Sequence, residues 1–413
     1  MARVLLIAYA CDPDDVSETW CSYQWTSRLV RHHEATVLAY NRRDRHGVCA
    51  QLTGARVFEW AELPLLDRLG TFSSMVKPGY LDFYRRARRL MRQLTRDEHF
   101  DLIHQYEPFA PRYPSPAVGL GVPFILGPVG GAVDTPPGFR ADVERHMAWY
   151  TKLRSLDRWR FAHDPWLRRT YAEADVVLGI APYVRELLAE VPLRRFEYMH
   201  ETGVEALPPA CERQQPPPGR LRLLYVGRIV RTKGVRDAVR ALARLRDLPG
   251  VTLDVLGDGD DRIACEQEAE RLGVTDTVTF HGWQPRDVVA RFYANADVFV
   301  FPSFREASGT VVIEAMSHGL PLIAAAYGGP GYTVGTDCGI TVPPETPEQF
   351  AAAIAEALRT LAADPARVIA MGRRARERVA SEFLWDRKVE RMNALYQDVI
   401  ARARAAGRAA RQP

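Results

Sequence analysis

Two glutamates, Glu306 and Glu314, stand eight positions apart in a segment that runs Phe301-Pro-Ser-Phe-Arg-Glu-Ala-Ser-Gly-Thr-Val-Val-Ile-Glu-Ala-Met-Ser-His-Gly-Leu-Pro321. The residues from Val298 to Ser303 read as a buried strand, and Gly309 opens a helix. The amides of Ser308, Gly309, Thr310 and Val311 would then form an uncompensated helix N-terminus, which suits a phosphate. Glu306 would sit at the mouth of that cleft. Glu314, inside the helix, could accept hydrogen bonds from both hydroxyls of a ribose, because an ionised carboxylate is acceptor-only and has two oxygens. In a chain with 51 acidic residues such a pair means little alone. It is the strand-turn-helix context that gives it weight.

A complementary set of cations lies upstream, in Tyr225-Val-Gly-Arg-Ile-Val-Arg-Thr-Lys-Gly234. Gly227 at a strand end lets a ligand approach the backbone, and Arg228 with Lys233 could place two positive charges against a diphosphate. The chain has only four lysines, Lys77, Lys152, Lys233 and Lys388, so 51 of its 55 basic residues are arginine. Against that bias each remaining lysine carries more meaning. Both side chains are expected on exposed loops.

Positioning these groups requires strands that end in register. Candidate strands fall at Val4–Ala8, Thr36–Tyr40, Val57–Trp60, Leu102–Gln105, Pro123–Leu126, Val176–Ile180 and Glu197–Met199, with helical patterns between them, clearest at Gln24–His32, Leu81–Thr95 and Tyr183–Ala189. A proline-rich stretch, 208–220, can continue neither helix nor sheet and marks a hinge. The pattern then restarts at Leu221–Val226, Thr252–Leu256, Val278–His281, Val298–Phe301, Leu322–Ala325 and Ile340–Val342, separated by helices such as Val235–Arg246, Arg262–Leu272 and Pro347–Ala362. Alternation of this kind means parallel sheets covered by helices, here an α/β domain over 1–207 and a second over 221–384.

Composition narrows the class. At 413 residues the chain exceeds one ordinary core; its 47% hydrophobic and 26% charged residues are those of a globular protein. A net charge of +4 is too slight for nucleic acid. No apolar run is long enough to span a membrane, and Met1–Ala8 reads as a first strand rather than a signal peptide, so the expected location is cytoplasmic. The basic helix Tyr84–Arg92 has the charge to meet anionic lipid, but a solvated face is the favoured reading. Six cysteines, Cys11, Cys21, Cys49, Cys211, Cys265 and Cys338, show neither metal spacing nor a disulfide framework and are expected as reduced thiols. The oligomeric state is not legible.

The segment Pro302-Ser303…Glu306…Glu314-Ala-Met316…Gly319…Pro321, taken with the Gly227-Arg228…Lys233-Gly234 signature, closely resembles the family 4 retaining glycosyltransferases. That resemblance implies a GT-B architecture: two Rossmann-like domains facing a central cleft, the first on the acceptor side, the second binding a nucleotide sugar, and a final helix (385–413) returning to the first. It implies that Glu306 contacts the transferred sugar, that Glu314 holds the donor ribose, and that Arg228 and Lys233 hold the pyrophosphate. It also makes Gly257, Gly282 and Trp283 candidates for the base pocket, and places Gly328–Gly331 close to the donor.

On the acceptor side the glycine loop with Gly130 and Gly131 resembles the family's sugar-facing loop, but the histidine many members carry there is missing. His104, at the end of the preceding strand, is the nearest substitute. Ser17–Trp25 resembles a glycine-containing loop of the family, with Trp20 and Ser22 where glycines would stand; an aromatic there could stack on an acceptor. The implied activity is transfer of a sugar from a UDP- or GDP-sugar to a small acceptor, retaining and without metal or cofactor, with a natural-product pathway suggested by the arginine bias. Two rivals remain: a nucleotide-sugar epimerase or hydrolase of the same fold, and a non-catalytic sugar-binding partner. No Gly-x-Gly-x-x-Gly follows the first strand, which disfavours a dehydrogenase.

Overall fold

The computed structural model describes residues 1–15, 17–41, 47–63, 77–144, 155–209 and 213–409. Lys152, Cys211 and part of the proline-rich stretch lie outside them. Thirteen strands form two wholly parallel sheets among the described residues. The first contains β1 (Arg3–Ala8), β2 (Glu34–Asn41), β3 (Ala55–Ala61), β4 (Leu102–Glu107), β5 (Phe124–Val129), β6 (Val176–Gly179) and β7 (Phe196–Tyr198), in the order β3-β2-β1-β4-β5-β6-β7. The second contains β8 (Arg220–Val226), β9 (Gly250–Leu256), β10 (Val278–Gly282), β11 (Val298–Phe301), β12 (Leu322–Ala325) and β13 (Gly339–Val342), in the order β10-β9-β8-β11-β12-β13.

Strands buried on both faces must be apolar throughout. β1, β5 and β11 largely obey this, with nearly every residue buried, whereas β4 is wholly buried yet carries His104, Gln105 and Glu107. Strand order reverses between β1 and β4 in one sheet and between β8 and β11 in the other. In open parallel sheets the crevice beyond the carboxyl ends at such a reversal is where ligands bind. The loops that matter therefore follow Ala8 and Glu107 in the first sheet, and Val226 and Phe301 in the second. No described helix is long and apolar enough to cross a membrane.

The chain divides into two compact units. One comprises Met1–Ala132, Arg154–Glu201 and Lys388–Pro413; the other comprises Val133–Leu153 and Thr202–Arg387. This corrects the expected boundary at 207, because the segment beginning at Val133 belongs with the second sheet. The reason is Phe139. It is wholly buried in the second unit's core, its ring centroid 4.1 Å from that of Phe304 and 5.8 Å from that of Phe350. Three residues on, Asp142 accepts a 3.1 Å hydrogen bond from Arg231.

The final helix, Trp385–Ala409, carries first-unit contacts from Lys388 onward. His33 bonds Asn393 at 2.9 Å, and the Lys388 ammonium lies 5.0 Å from the Trp25 ring centroid.

One helix begins earlier than its apolar periodicity suggests. The expected Gln24–His32 is observed as Ser17–Leu29. Its buried stripe combines Cys21, Trp25 and Leu29 with Ser22 and Thr26, so small polar residues hide half of the 3.6-residue repeat. Trp20 consequently stands on a helix, not on the loop where an acceptor-stacking role placed it. The five described cysteines are present as thiols.

If Phe139 is core to the second unit, Phe139→Ala should cost about 3–5 kcal/mol, the usual price of truncating a buried aromatic. Urea unfolding measures it. A loss below about 1 kcal/mol would mean that Val133–Glu144 only rests on the surface.

Candidate active site of the second unit

The carboxyl edge of the second sheet is shaped by three glycines in adjacent strands. The Gly227 amide donates to Leu256 O at 3.0 Å, and the Gly257 amide donates to Gly282 O at 2.8 Å. All three have positive φ. A Cβ on Gly257 would lie 1.9 Å from the Gly227 carbonyl oxygen, so only glycine fits there. This edge is thus bare backbone, open to close approach. Trp283, which follows it, is 77% exposed.

Two loops meet beside these glycines. The first follows β8: the buried Tyr225 hydroxyl donates to the Arg228 carbonyl at 2.8 Å, and the Ile229 amide donates to Asp258 O at 2.8 Å. The Arg228 side chain is exposed, as expected. Lys233 is not. It ends the one-turn helix Arg231–Lys233, with its side chain only 14% exposed. The second loop follows β11, which ends at Phe301 rather than Ser303. Its Ser303 hydroxyl and Phe304 amide both donate to the Thr232 carbonyl, at 3.3 and 3.2 Å. Gly234, at φ 74°, packs against Pro302 so closely that a Cβ would fall 2.0 Å from its carbonyl oxygen.

The result of this lacing is a direct ion pair. The Lys233 ammonium bonds the Glu306 carboxylate and sits 5.6 Å from the centroid of the Phe301 ring. The sequence spacing suggested a cation for phosphate and a carboxylate for sugar, but not that they touch. Glu306 is held in turn by its own backbone, whose carbonyl accepts from the Gly329 amide at 3.1 Å. Gly328 and Gly329, at the start of the helix Gly328–Val334, pack on the carbonyls of Glu306 and Ala307.

Beneath the first loop lies a residue that motif reading passed over. Arg231 is buried and donates to both oxygens of the wholly buried Asp237, at 2.6 and 3.1 Å, as well as to Asp142. Its guanidinium lies 5.5 Å from the Phe139 centroid and 5.2 Å from that of Phe304. The available signal was Asp237, six residues along on the following helix.

The helix Thr310–Ser317 begins at Gly309, which has φ 77° and gives no side-chain cap; the Val312 amide already bonds Gly309 O. Ser308 and Gly309 are buried, Thr310 exposed and Val311 partly buried. Glu314, one turn in, accepts from the Tyr293 hydroxyl at 3.3 Å. Burial raises its carboxyl above the usual range, with Tyr293 and Arg286 opposing. Tyr293 is itself stacked on His318.

The first-unit candidates fare differently. His104 is wholly buried within β4, its Nδ1 bonded to the Tyr396 hydroxyl at 2.5 Å and its Nε2 to the Gly127 carbonyl at 2.6 Å. Both nitrogens are engaged, so it supports the final helix and does not replace the family's histidine. Gly130 packs where a Cβ would strike Ile180, 2.2 Å away, and the Gly131 amide donates to the Tyr183 hydroxyl at 2.9 Å.

Residues 211–377 match the family described as "Glycosyl transferases group 1". Among curated proteins, the chain is 31% identical over 248 residues to a glycogen synthase of Mycobacterium tuberculosis, covering 59% of this chain and 58% of that one. It is 36% identical over 162 residues to the 2-deoxystreptamine glucosyltransferase of Streptomyces kanamyceticus, covering 38% and 41%. The chain therefore spans roughly two fifths to three fifths of these relatives' length. Solved structures extend the likeness of fold. Sucrose-phosphate synthase from Thermosynechococcus elongatus has a TM-score of 0.62 at 22% identity, covering 97% of this chain and 100% of that one. HepE of Anabaena in complex with UDP has a TM-score of 0.60 at 16% identity, covering 96% and 100%. The fold is that of the GT-B glycosyltransferases.

The ion pair should be measurable without any substrate. In a double-mutant cycle, Lys233→Met and Glu306→Gln should show a coupling of about 1–2 kcal/mol in urea unfolding. Strict additivity would dissolve the pair.

His104 yields a pH dependence of defined sign. Burial pulls its pKa from 6.5 down to about 4, partly opposed by the bond to Gly127. The folded state thus keeps it neutral while the unfolded state takes up a proton below about 6.5. Its contribution is complete above that value and is lost as pH falls through 4, by up to about 3 kcal/mol. Unfolding midpoints between pH 7 and 4 should fall less steeply in His104→Gln than in the parent; equal slopes would refute the assignment.

Proposed function

We propose that this chain, whose residues 211–377 match the group 1 glycosyl transferases, is a family 4 retaining glycosyltransferase that moves a sugar from a UDP- or GDP-sugar to a small acceptor without a metal. The carrying observation is the Lys233–Glu306 pair at the β8/β11 reversal, with exposed Arg228 on the adjoining loop and the Gly309 helix start beside Glu306. Diphosphate departure is the chemical difficulty. Arg228, Lys233 and the amides at the helix start are the groups that stabilise charge as it develops on the leaving group. A single such donor is typically worth about 10²–10³ in rate.

An entering diphosphate competes with Glu306 for Lys233, freeing the carboxylate to meet the sugar. Glu314 takes the ribose hydroxyls, and Trp283 with Gly257 and Gly282 receives the base. As the anomeric carbon–oxygen bond to the diphosphate breaks, the bond to the acceptor oxygen forms on the same face, and the acceptor proton passes to the leaving phosphate. No side-chain base is then required, which agrees with an occupied His104. Similarity to the 2-deoxystreptamine glucosyltransferase favours a natural-product acceptor, and a nucleotide-sugar donor favours work in the cytoplasm.

The test is titration of UDP and GDP, with and without EDTA, into the parent and Glu314→Gln. One nucleotide should bind the parent equally well in both buffers, and about tenfold more weakly to the variant, whose ribose contact has lost its charge. Binding abolished by the chelator would overturn the metal-free reading. Unchanged affinity in Glu314→Gln would remove the ribose assignment.

A further inference from the structure

We propose that the carboxyl ends of β1 and β4 in the first unit form a subsite for an acceptor that carries an ammonium group, with Glu18 as the residue that recognises its charge. The inference deepens the glycosyltransferase reading, since it names the acceptor class. Its geometry lies wholly within the first unit.

The two sheets carry related devices at their strand-order reversals. In the second, an ammonium and a carboxylate pair beside an aromatic ring, Lys233 with Glu306 at Phe301. In the first, Lys77 pairs with Glu107, the last residue of β4, and its ammonium also lies 5.6 Å from a ring centroid, that of Tyr9. Glu107 is wholly buried and accepts a further bond from the Ala10 amide at 3.0 Å, just past β1. Burial alone would lower the Lys77 ammonium, but Glu107 and Glu18 outweigh it and keep it raised. A buried ion pair adds little net stability over apolar packing, so its place at a ligand-binding edge calls for a ligand.

What differs between the two devices is the surplus charge. The second sheet adds a cation, Arg228, which suits a diphosphate. The first adds a carboxylate: Glu18 lies 3.0 Å from the same Lys77 ammonium, so one cation serves two anions. The unneutralised charge falls to Glu18, whose side chain is 43% exposed against 12% for Lys77. Among the described residues, the neighbouring charges do not cancel it. Glu62, which acts on Tyr9, is also acidic, and Arg112, on the side of Tyr113, is held by Asp157 at 2.8 Å.

A second observation points to a ligand. Gln105 lies two residues before Glu107 on β4 and is 1% exposed. Its amide nitrogen donates to the Tyr80 hydroxyl at 3.3 Å, and Tyr80 packs against Tyr9 and Tyr113. Among the described residues its carbonyl oxygen has no hydrogen-bond partner. A buried acceptor left unpaired costs about 1–3 kcal/mol and signals a donor to come. Both the surplus carboxylate and the orphan carbonyl accept hydrogen bonds, and an ammonium with neighbouring hydroxyls supplies them. A phosphorylated acceptor would meet repulsion.

Isothermal titration of the full chain at pH 7, with and without UDP, distinguishes the cases by three probes: 2-deoxystreptamine as a diamino cyclitol, myo-inositol as its neutral counterpart, and myo-inositol 1-phosphate as an anion. The diamine should bind at least about tenfold more tightly than the neutral cyclitol, and the phosphate should give no heat. Glu18→Gln should lose about tenfold in diamine affinity while UDP binds as before, and Glu18→Lys should reverse the preference toward the phosphate. Circular dichroism confirms that both variants fold. Equal binding of diamine and myo-inositol, preference for the phosphate in the parent, or full diamine affinity in Glu18→Gln would each overturn the subsite. Failure of UDP alone, with the diamine series intact, would strike the donor reading instead.

Discussion

Arg231 is a full charge that is almost wholly buried, and much of the second unit's carboxyl edge is arranged around keeping it satisfied. An unpaired guanidinium there would cost several kcal/mol, so the structure supplies Asp237 in a two-pronged contact, Asp142 from a distant part of the chain, and two aromatic faces. Those partners are not interchangeable with solvent. Because Phe304 belongs to the loop that bears Glu306, and Arg231 to the turn that bears Lys233, one buried cation holds both halves of the ion pair in place. The Thr232 carbonyl, taking two bonds from the Glu306 loop, completes the lacing.

The glycines make the opposite contribution. Arg231 determines where side chains stand; Gly227, Gly257 and Gly282 determine where none can. A side chain at Gly257 would collide with the neighbouring strand end, so the edge stays open by steric necessity. Fixed side chains on one flank and bare backbone on the other are what a phosphate site needs, since phosphates are gripped by amides and cations at short range.

Where sequence reading succeeded and failed follows from which interactions are local. The central strands were visible because double burial writes apolar runs such as Val298–Phe301 directly into the chain, and the less buried β3 and β7 through their place in the strand-helix alternation. Lys233 and Glu306 were visible through neighbouring glycines and turn residues. Their mutual contact was not, since it spans 73 positions and depends on how two loops cross. His104 misled for a related reason: a histidine in a strand looks the same whether its ring meets a substrate or, as here, a tyrosine 292 residues away. The helix Ser17–Leu29 was clipped because serine, threonine and cysteine can fill a buried stripe without registering as apolar. Phe139 carried no hint that it serves the second core, as core membership is decided by tertiary partners alone.

The allegiance of Val133–Glu144 to the second unit and of Lys388 onward to the first bears on how such chains can diversify. The polypeptide passes between the units four times, not once at the proline-rich stretch. A single recombination event within 208–220 would therefore not exchange whole modules. It would deliver one parent's Phe139 and Asp142 to the other parent's Phe304 and Arg231, and one parent's final helix to the other's Trp25 and His104. Heritable exchange of the whole first unit is thus restricted to relatives whose cores already agree at these positions, and change is more readily reached by altering exposed residues one at a time.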